Sequence, residues 1–233
     1  LGINPKIGNE WKKYFDLSED ESKKLTEGLL IRAQPGESNK LIGNNYTLLR
    51  EDLFSPLRNA REFSTIINAC GRMGRSSLGV GICLGDAKSK KDALDNYDEY
   101  KREIVSALNW VSRNKKSDKF RYGKGYMIIN AKKEVKHTII GTVASILSKS
   151  NEINSNTLIL SMAISPEGHI KSSIRISGRN SEIDLARIIN LICEPLGIKD
   201  SGGHGMAAGA VFPAELEDKF ISKAVEVFER EIK

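Results

Sequence analysis

Apolar residues change their period near the middle of this chain. In the first half they recur three or four positions apart, the spacing of one helix face. The segment "LSEDESKKLTEGLLIRA" opens with Ser18 and carries Glu21 three residues later, a capping-box signature that predicts a helix start. "LIGNNYTLLR" predicts a short hairpin across Asn44 and Asn45. Residues 58–113 predict two or three helices, the last over "SKKDALDNYDEYKREIVSALNWVSRN" with Ser89 as its cap. In the second half the apolar positions bunch. "GYMIINA" and "TLILSMAIS" suit buried strands, and "HIKSSIRIS" alternates like a strand with one face exposed. Helices are predicted in "HTIIGTVASILSKS", "DLARIINLICEPLG" and "PAELEDKFISKAVEVFEREIK". Strand and helix in alternation imply an α/β layer structure. The polar, basic, glycine-bearing stretch "NKKSDKFRYGKG" at 114–125 is expected to be a linker. The expected organisation is therefore a helical region over 1–115 and an α/β domain over 116–233.

Composition narrows this little. At 233 residues, 39% hydrophobic and 28% charged, the chain has ordinary globular character. It holds no run of about 18 apolar residues and no apolar core of a secretory signal near its start, which points to a cytoplasmic protein with no membrane partner. It begins with Leu1 rather than Met, so a segment is expected to have been removed upstream. Cys70, Cys83 and Cys193 sit in apolar contexts and are expected to be buried thiols, not a disulfide framework or a zinc site. Lys and Arg outnumber Asp and Glu by 36 to 30, a mild preference for an anionic partner that names no function.

The chemistry concentrates in a few fragments. In "SGGHGMAAGA", Gly202 and Gly203 can adopt positive φ and hold no ligand off. Successive amides there would form a concave donor cluster suited to phosphate, and His204 can donate to it or move a proton. A glycine turn with a histidine on its rim is the plainer alternative. In "IRISGRN", Ser177 and Arg179 lie at i and i+2 on a strand end and share one face, a hydroxyl and a guanidinium placed as a phosphate clamp. "NACGRMGR" sets Arg72 after a glycine at a helix break. Lys115, Lys116, Lys119, Arg121 and Lys124 interleave with Phe120, Tyr122 and Tyr126, the composition of a single-strand groove or of a solvated linker with its aromatics tucked inward. None of the three histidines (137, 169, 204) adjoins an Asp, and Asp92, Asp95 and Asp98 at helical spacing among lysines form a solvated face.

Taken in order, "INACGRMGRSSLGVGICLGD", "TIIGTVASILS", "ISGR" and "SGGHGMAAGA" resemble the C-terminal half of the RecJ-like proteins of the DHH phosphoesterase superfamily, especially its archaeal branch. The resemblance spans roughly residues 40–215. It implies a helical connecting region followed by a DHH-associated α/β domain with a mixed sheet, which in the family grips single-stranded nucleic acid. Carried over by position, Ser177 and Arg179 would bind a phosphate with help from Arg72, and Gly202, Gly203 and His204 would face the scissile phosphodiester. Ser173 and Arg175 form a second Ser-x-Arg pattern, but the 22 residues between Arg179 and Gly202 favour the later pair. The family's catalysis needs two divalent metals, usually manganese, on Asp and His clusters that include an Asp-His-His signature. That signature is absent here. No catalytic residue, metal ligand or cofactor is therefore expected in this chain, and manganese only if a catalytic domain lies upstream. The resemblance implies a non-catalytic DNA-replication factor that binds single-stranded DNA, with GINS and the Mcm helicase as partners, and a stand-alone module. The alternative is the C-terminal half of a manganese-dependent single-strand exonuclease. A small-oligonucleotide or cyclic-dinucleotide phosphodiesterase is a third reading, against which the Asn-Ala-Cys-Gly-Arg connection speaks.

Overall fold

The computed structural model describes residues 1–12, 14–33, 43–178 and 183–232. The chain divides into two compact units, Leu1–Phe63 and Ser64–Lys233. In the first, strands β1 (Lys6–Ile7) and β2 (Glu10–Trp11) pair antiparallel ahead of helix α1 (Glu19–Arg32). Ser18 and Glu21 form the expected capping box at the start of α1. Thr47 bridges to Asn59, so the described part of the "LIGNNYTLLR" segment makes no hairpin with itself; residues 41 and 42 lie outside the described residues.

The second unit takes in most of α2 (Ala60–Arg72), then α3 (Ser76–Cys83) and α4 (Ala87–Asn114). Helix α4 starts earlier than Ser89. Asp86 is the cap, its carboxylate accepting the Ser89 amide at 2.7 Å, because a carboxylate satisfies that orphan donor with a full charge. The segment expected as a linker is structured. Phe120–Gly123 is strand β3 and pairs with β4 (Tyr126–Asn130). Position 115/116 thus marks the passage from α4 to the sheet inside one compact unit.

Six strands form a mixed sheet in the order β3-β4-β5-β6-β8-β7, where β5 is Leu158–Ile164, β6 His169–Ile176, β7 Ser201–His204 and β8 Ala207–Pro213. Only β4 and β5 run parallel, joined through helix α5 (Ile140–Leu147); the other pairs are antiparallel. Strand β5 is apolar except for Ser161 because both of its faces are covered. Period-two alternation sorts the side chains of β6: Ile170, Ser172, Ile174 and Ile176 face one layer, Lys171, Ser173 and Arg175 the other. The first layer is closed by α6 (Leu185–Cys193) and α7 (Glu217–Glu231), whose Ile188, Ile192, Phe220 and Phe228 join Leu160, Ile174 and Phe212 in one cluster. On the opposite face, Val111 of α4 and Val143, Ala144 and Leu147 of α5 cluster with Ile129, Ile159 and Ala163. The buried Ser161 hydroxyl donates to the Ile140 carbonyl at 3.2 Å, tying the start of α5 to the sheet. Cys70 and Cys193 are buried as expected, whereas Cys83 is exposed at the end of α3. No helix among the described residues is long and apolar enough to cross a membrane.

Candidate functional site

The second face of the sheet is covered over β4 and β5 and open over β6, β8 and β7. Register sets the floor of the open part in three rows: Arg175–Ala207–His204, Ser173–Gly209–Gly202 and Lys171–Val211 beside Asp200. The middle strand carries Ala207 and Gly209, so the floor is almost backbone. A Cβ on Gly209 would lie 2.5 Å from the Ser172 carbonyl oxygen, so only glycine lets β6 and β8 pair there. The result is a shallow depression of about 250 Å³ lined by Ser173, Arg175, Gly202, Ala207 and Gly209.

Helix α5 walls this floor. A Cβ on Gly141 would sit 3.1 Å from Ser173 Oγ and 3.9 Å from Arg175 Nη2, so the bare helix turn closes directly on both groups. Ser145, one turn later on the same face, accepts Arg175 Nε at 2.9 Å. Arg175 Nη1 donates to the Ile174 carbonyl at 2.7 Å. Nη2 has no acceptor among the described residues. The guanidinium is therefore held in place with part of its donor fork unspent. Ser173 is buried, yet its hydroxyl has no partner among the described residues.

Arg72, at the end of α2, donates Nη1 to the Thr138 carbonyl at 3.0 Å in the turn leading into α5. Burial pushes the Arg175 guanidinium below its usual range, and the positive charge of Arg72 pushes it further. Neither arginine has a carboxylate partner among the described residues. Arg72 itself is exposed, so the burial falls on Arg175, whose charged form an anion would favour. Helix α5 has Ile139 at its N-cap and no side-chain cap, the Ile139 and Ile140 amides donating to the Lys136 carbonyl instead. The arrangement can accept an anion through a guanidinium fork, a hydroxyl and an unobstructed backbone.

The glycine pair plays a different part from the one its sequence predicts. Ser201–His204 is an edge strand, and the two-residue turn of its hairpin with β8 is Gly205–Met206. Gly202 does not adopt positive φ, and no concave cluster of amides forms. A Cβ on Gly203 would meet the Ala207 oxygen at 2.4 Å, so this glycine serves strand pairing. A Cβ on Gly202 would meet nothing within 4 Å, because that position opens onto the depression. His204 is exposed and heads the Arg175 row, with the Met206 amide donating to its Nδ1 at 3.3 Å. Its Nε2 makes no hydrogen bond among the described residues.

Ser177 does not join this group. It is buried beyond the end of β6, accepting the Thr157 amide at 2.9 Å and donating to the Asn154 carbonyl. Its hydroxyl is spent on a turn. Arg179 lies outside the described residues. Of the earlier Ser-x-Arg pattern, both Ser173 and Arg175 line the depression. Sequence spacing to the glycines pointed past them, although the Gly-x-x-Ala-Ser motif, which supplies Gly141 and Ser145, was a second signal for that face. Much of the basic run at 115–124 is likewise occupied: Lys115 pairs with Glu152 and Lys119 with Glu134, while Phe120 is buried against Trp110 with ring centroids 6.0 Å apart. Tyr126 is buried too, and Tyr122 donates its hydroxyl to the Lys115 carbonyl at 2.8 Å. Among the described residues no three His, Cys, Asp or Glu side chains gather to hold a metal ion.

Residues 123–230 match the family described as the DHHA1 domain. Over its whole length the chain is 26% identical to an uncharacterized protein of Methanocaldococcus jannaschii, of which it covers 46%. Among solved structures, the fold is similar to RecJ from Thermus thermophilus in complex with manganese, with a TM-score of 0.55 and 16% identity over 73% of this chain and 24% of that one. It is also similar to an exonuclease RecJ bound to manganese, with a TM-score of 0.51 and 18% identity over 71% of this chain and 39% of that one. The chain thus spans about half the length of the curated relative and a smaller share of the RecJ structures. Residues 123–230 thus carry the domain match, and the fold over nearly three quarters of the chain is similar to that of RecJ.

Proposed function

We propose that this chain grips the phosphodiester backbone of single-stranded DNA on the open half of its sheet and cuts nothing by itself. One observation carries this reading: Arg175, fixed by Ser145 and the Ile174 carbonyl without a carboxylate partner among the described residues, stands beside the unpartnered Ser173 hydroxyl where the sheet has no helix over it, with the positive charge of Arg72 acting on it. A phosphate there would receive the free edge of the Arg175 fork and the Ser173 hydroxyl, and would neutralise both guanidiniums. The small residues of β8 and the bare Gly202 let a backbone approach closely, and the open floor admits a strand that continues beyond the bound phosphate. His204, at the end of the same row, can donate from Nε2 to a neighbouring oxygen.

Manganese, which the resemblance implies for a catalytic half, finds no donor set among the described residues, so no chemical step is assigned to it. The chain acts as a RecJ-like DNA-replication factor in the cytoplasm, working beside GINS and the Mcm helicase; this partner assignment rests on the motif resemblance alone. Fluorescence anisotropy with labelled oligothymidylate tests the binding. Affinity should fall steeply with salt and be weaker for duplex of the same sequence. Release of labelled nucleotides by the chain with manganese, abolished by chelator, would refute the non-catalytic part and favour the exonuclease alternative. Separate elution of the purified chain and GINS would remove the partner assignment.

A further inference from the structure

We infer that a second phosphate of the same strand occupies a basic groove beside the sheet face, so that the strand leaves the site past the first turn of α5 toward the loop between β4 and α5. This deepens the reading just given and rests on it. The groove, of about 460 Å³, takes its charge from Arg72, Lys133 and Lys136 and an apolar wall from Val135, Ile164 and Pro166, with His137 also lining it. Arg72 belongs to both places. Its Nη1 holds the Thr138 carbonyl at 3.0 Å, and three residues on, Gly141 closes on Ser173 and Arg175. The two places therefore adjoin through Arg72 and the short stretch from Thr138 to Gly141.

The cations of the groove are not equally available. Lys136 pairs with Glu103 at 2.7 Å, and Glu167 is the carboxylate coupled to His137 among the described residues. Lys132 pairs with Glu217 on another side. Lys133 is exposed and has no acidic partner among the described residues, so its ammonium and the rest of the Arg72 fork carry the free charge. Lys133 is also presented from a fixed backbone. The Ala131 amide donates to the Met162 carbonyl at 2.9 Å, and the Ile164 amide to the Lys132 carbonyl at 2.7 Å, pinning the loop on both sides of β5's end. Ile164 and Pro166 offer an apolar surface on which a base can lie while its phosphate meets the cations, the combination that holds single strands without reading sequence.

Length dependence of binding is the test, with Lys133→Glu as the variant. Anisotropy is measured for a thymidine dinucleotide with a free 5′-hydroxyl, which carries a single phosphate, and for oligothymidylate of about ten nucleotides, with Arg175→Lys in parallel and circular dichroism to confirm the folds. Lys133→Glu should weaken the longer strand about tenfold, lower its salt slope by about one phosphate contact, and leave the dinucleotide unchanged. Unchanged affinity for both lengths, with Arg175→Lys weakening both, would overturn the groove and leave the sheet-face site standing. Equal weakening of both lengths by Lys133→Glu would also overturn it, since the lysine would then act on the first phosphate. Unchanged binding of both lengths by Arg175→Lys would instead remove the underlying site, and the groove with it.

Discussion

One face of the six-stranded sheet is finished in two ways. Over β4 and β5, Ile129, Ile159 and Ala163 meet Val111, Val143 and Leu147 in a closed apolar layer. Over β6, β8 and β7 the same face carries Ser173, Arg175, Ala207, Gly209 and Gly202, with α5 as a wall on one side only. The strands are continuous across the divide, so backbone geometry cannot be what separates them. Side-chain volume and charge separate them: apolar groups demand a cover, whereas small groups around a guanidinium leave a surface that water or an anion must fill. A sheet half without a lid is costly unless occupied, and that is the sense in which it marks a site.

The strongest test of this contrast is Arg175→Ala. Losing charge-assisted hydrogen bonds of about 1.5–3 kcal/mol should weaken single-strand binding by roughly tenfold to a hundredfold in anisotropy titrations; an unchanged Kd would end the assignment. Ser177→Ala tests the other side. It leaves the Thr157 amide and the Asn154 carbonyl without their hydroxyl partner, at a cost of about 1–3 kcal/mol, so the thermal midpoint should drop while affinity stays constant. Lost affinity at constant stability would return Ser177 to the site. Gly202→Val should do the reverse, since nothing lies within 4 Å of the position a Cβ would take: a several-fold weaker Kd at an unchanged melting temperature. His204→Ala, at the rim, should give the smallest effect, about twofold to threefold in Kd. A larger loss than that of Arg175→Ala would move the centre of the site to the hairpin end.

A similar contrast holds between the two compact units. The second contains both hydrophobic clusters. In the first, Leu57 is the one buried hydrophobic side chain among the described residues, while Trp11, Leu49 and Phe54 are exposed at 70%, 82% and 87%. The sixty-odd residues of that unit are held by local devices: the Ser18–Glu21 capping box, the Lys12–Glu21 ion pair at 2.7 Å, and the Thr47–Asn59 bridge. Such devices contribute about a kilocalorie each, which explains why the helix of this region was legible from its cap while the hairpin expected across Asn44 and Asn45 was not. A hairpin needs an apolar face to settle on, and the described residues offer it none.

Local chemistry was enough to specify most elements. Apolar runs placed β4 and β5, alternation placed β6, and helical spacing placed α4 to α7, because period and burial follow directly from which face must leave water. Cap choice and strand ends were less legible: Asp86 and Ser89 are both good caps, and only the hydrogen bond to the Ser89 amide distinguishes them. That Ser177 spends its hydroxyl on the Thr157 amide and the Asn154 carbonyl while Ser173 leaves its own beside Arg175 was a matter for tertiary structure alone. Residues 173, 175 and 177 share one parity, and nothing in their identities says that the third meets the Asn154–Thr157 turn. The same holds for Gly202 and Gly203, neighbours of identical composition, one opening onto the depression and the other pressed against β8. Sequence by itself thus determined an α/β chain bearing an anion-seeking set of arginines, serines and glycines. Which of them meet was decided by strand register and by the seating of α5, since proximity across strands depends on backbone pairing that no single segment encodes.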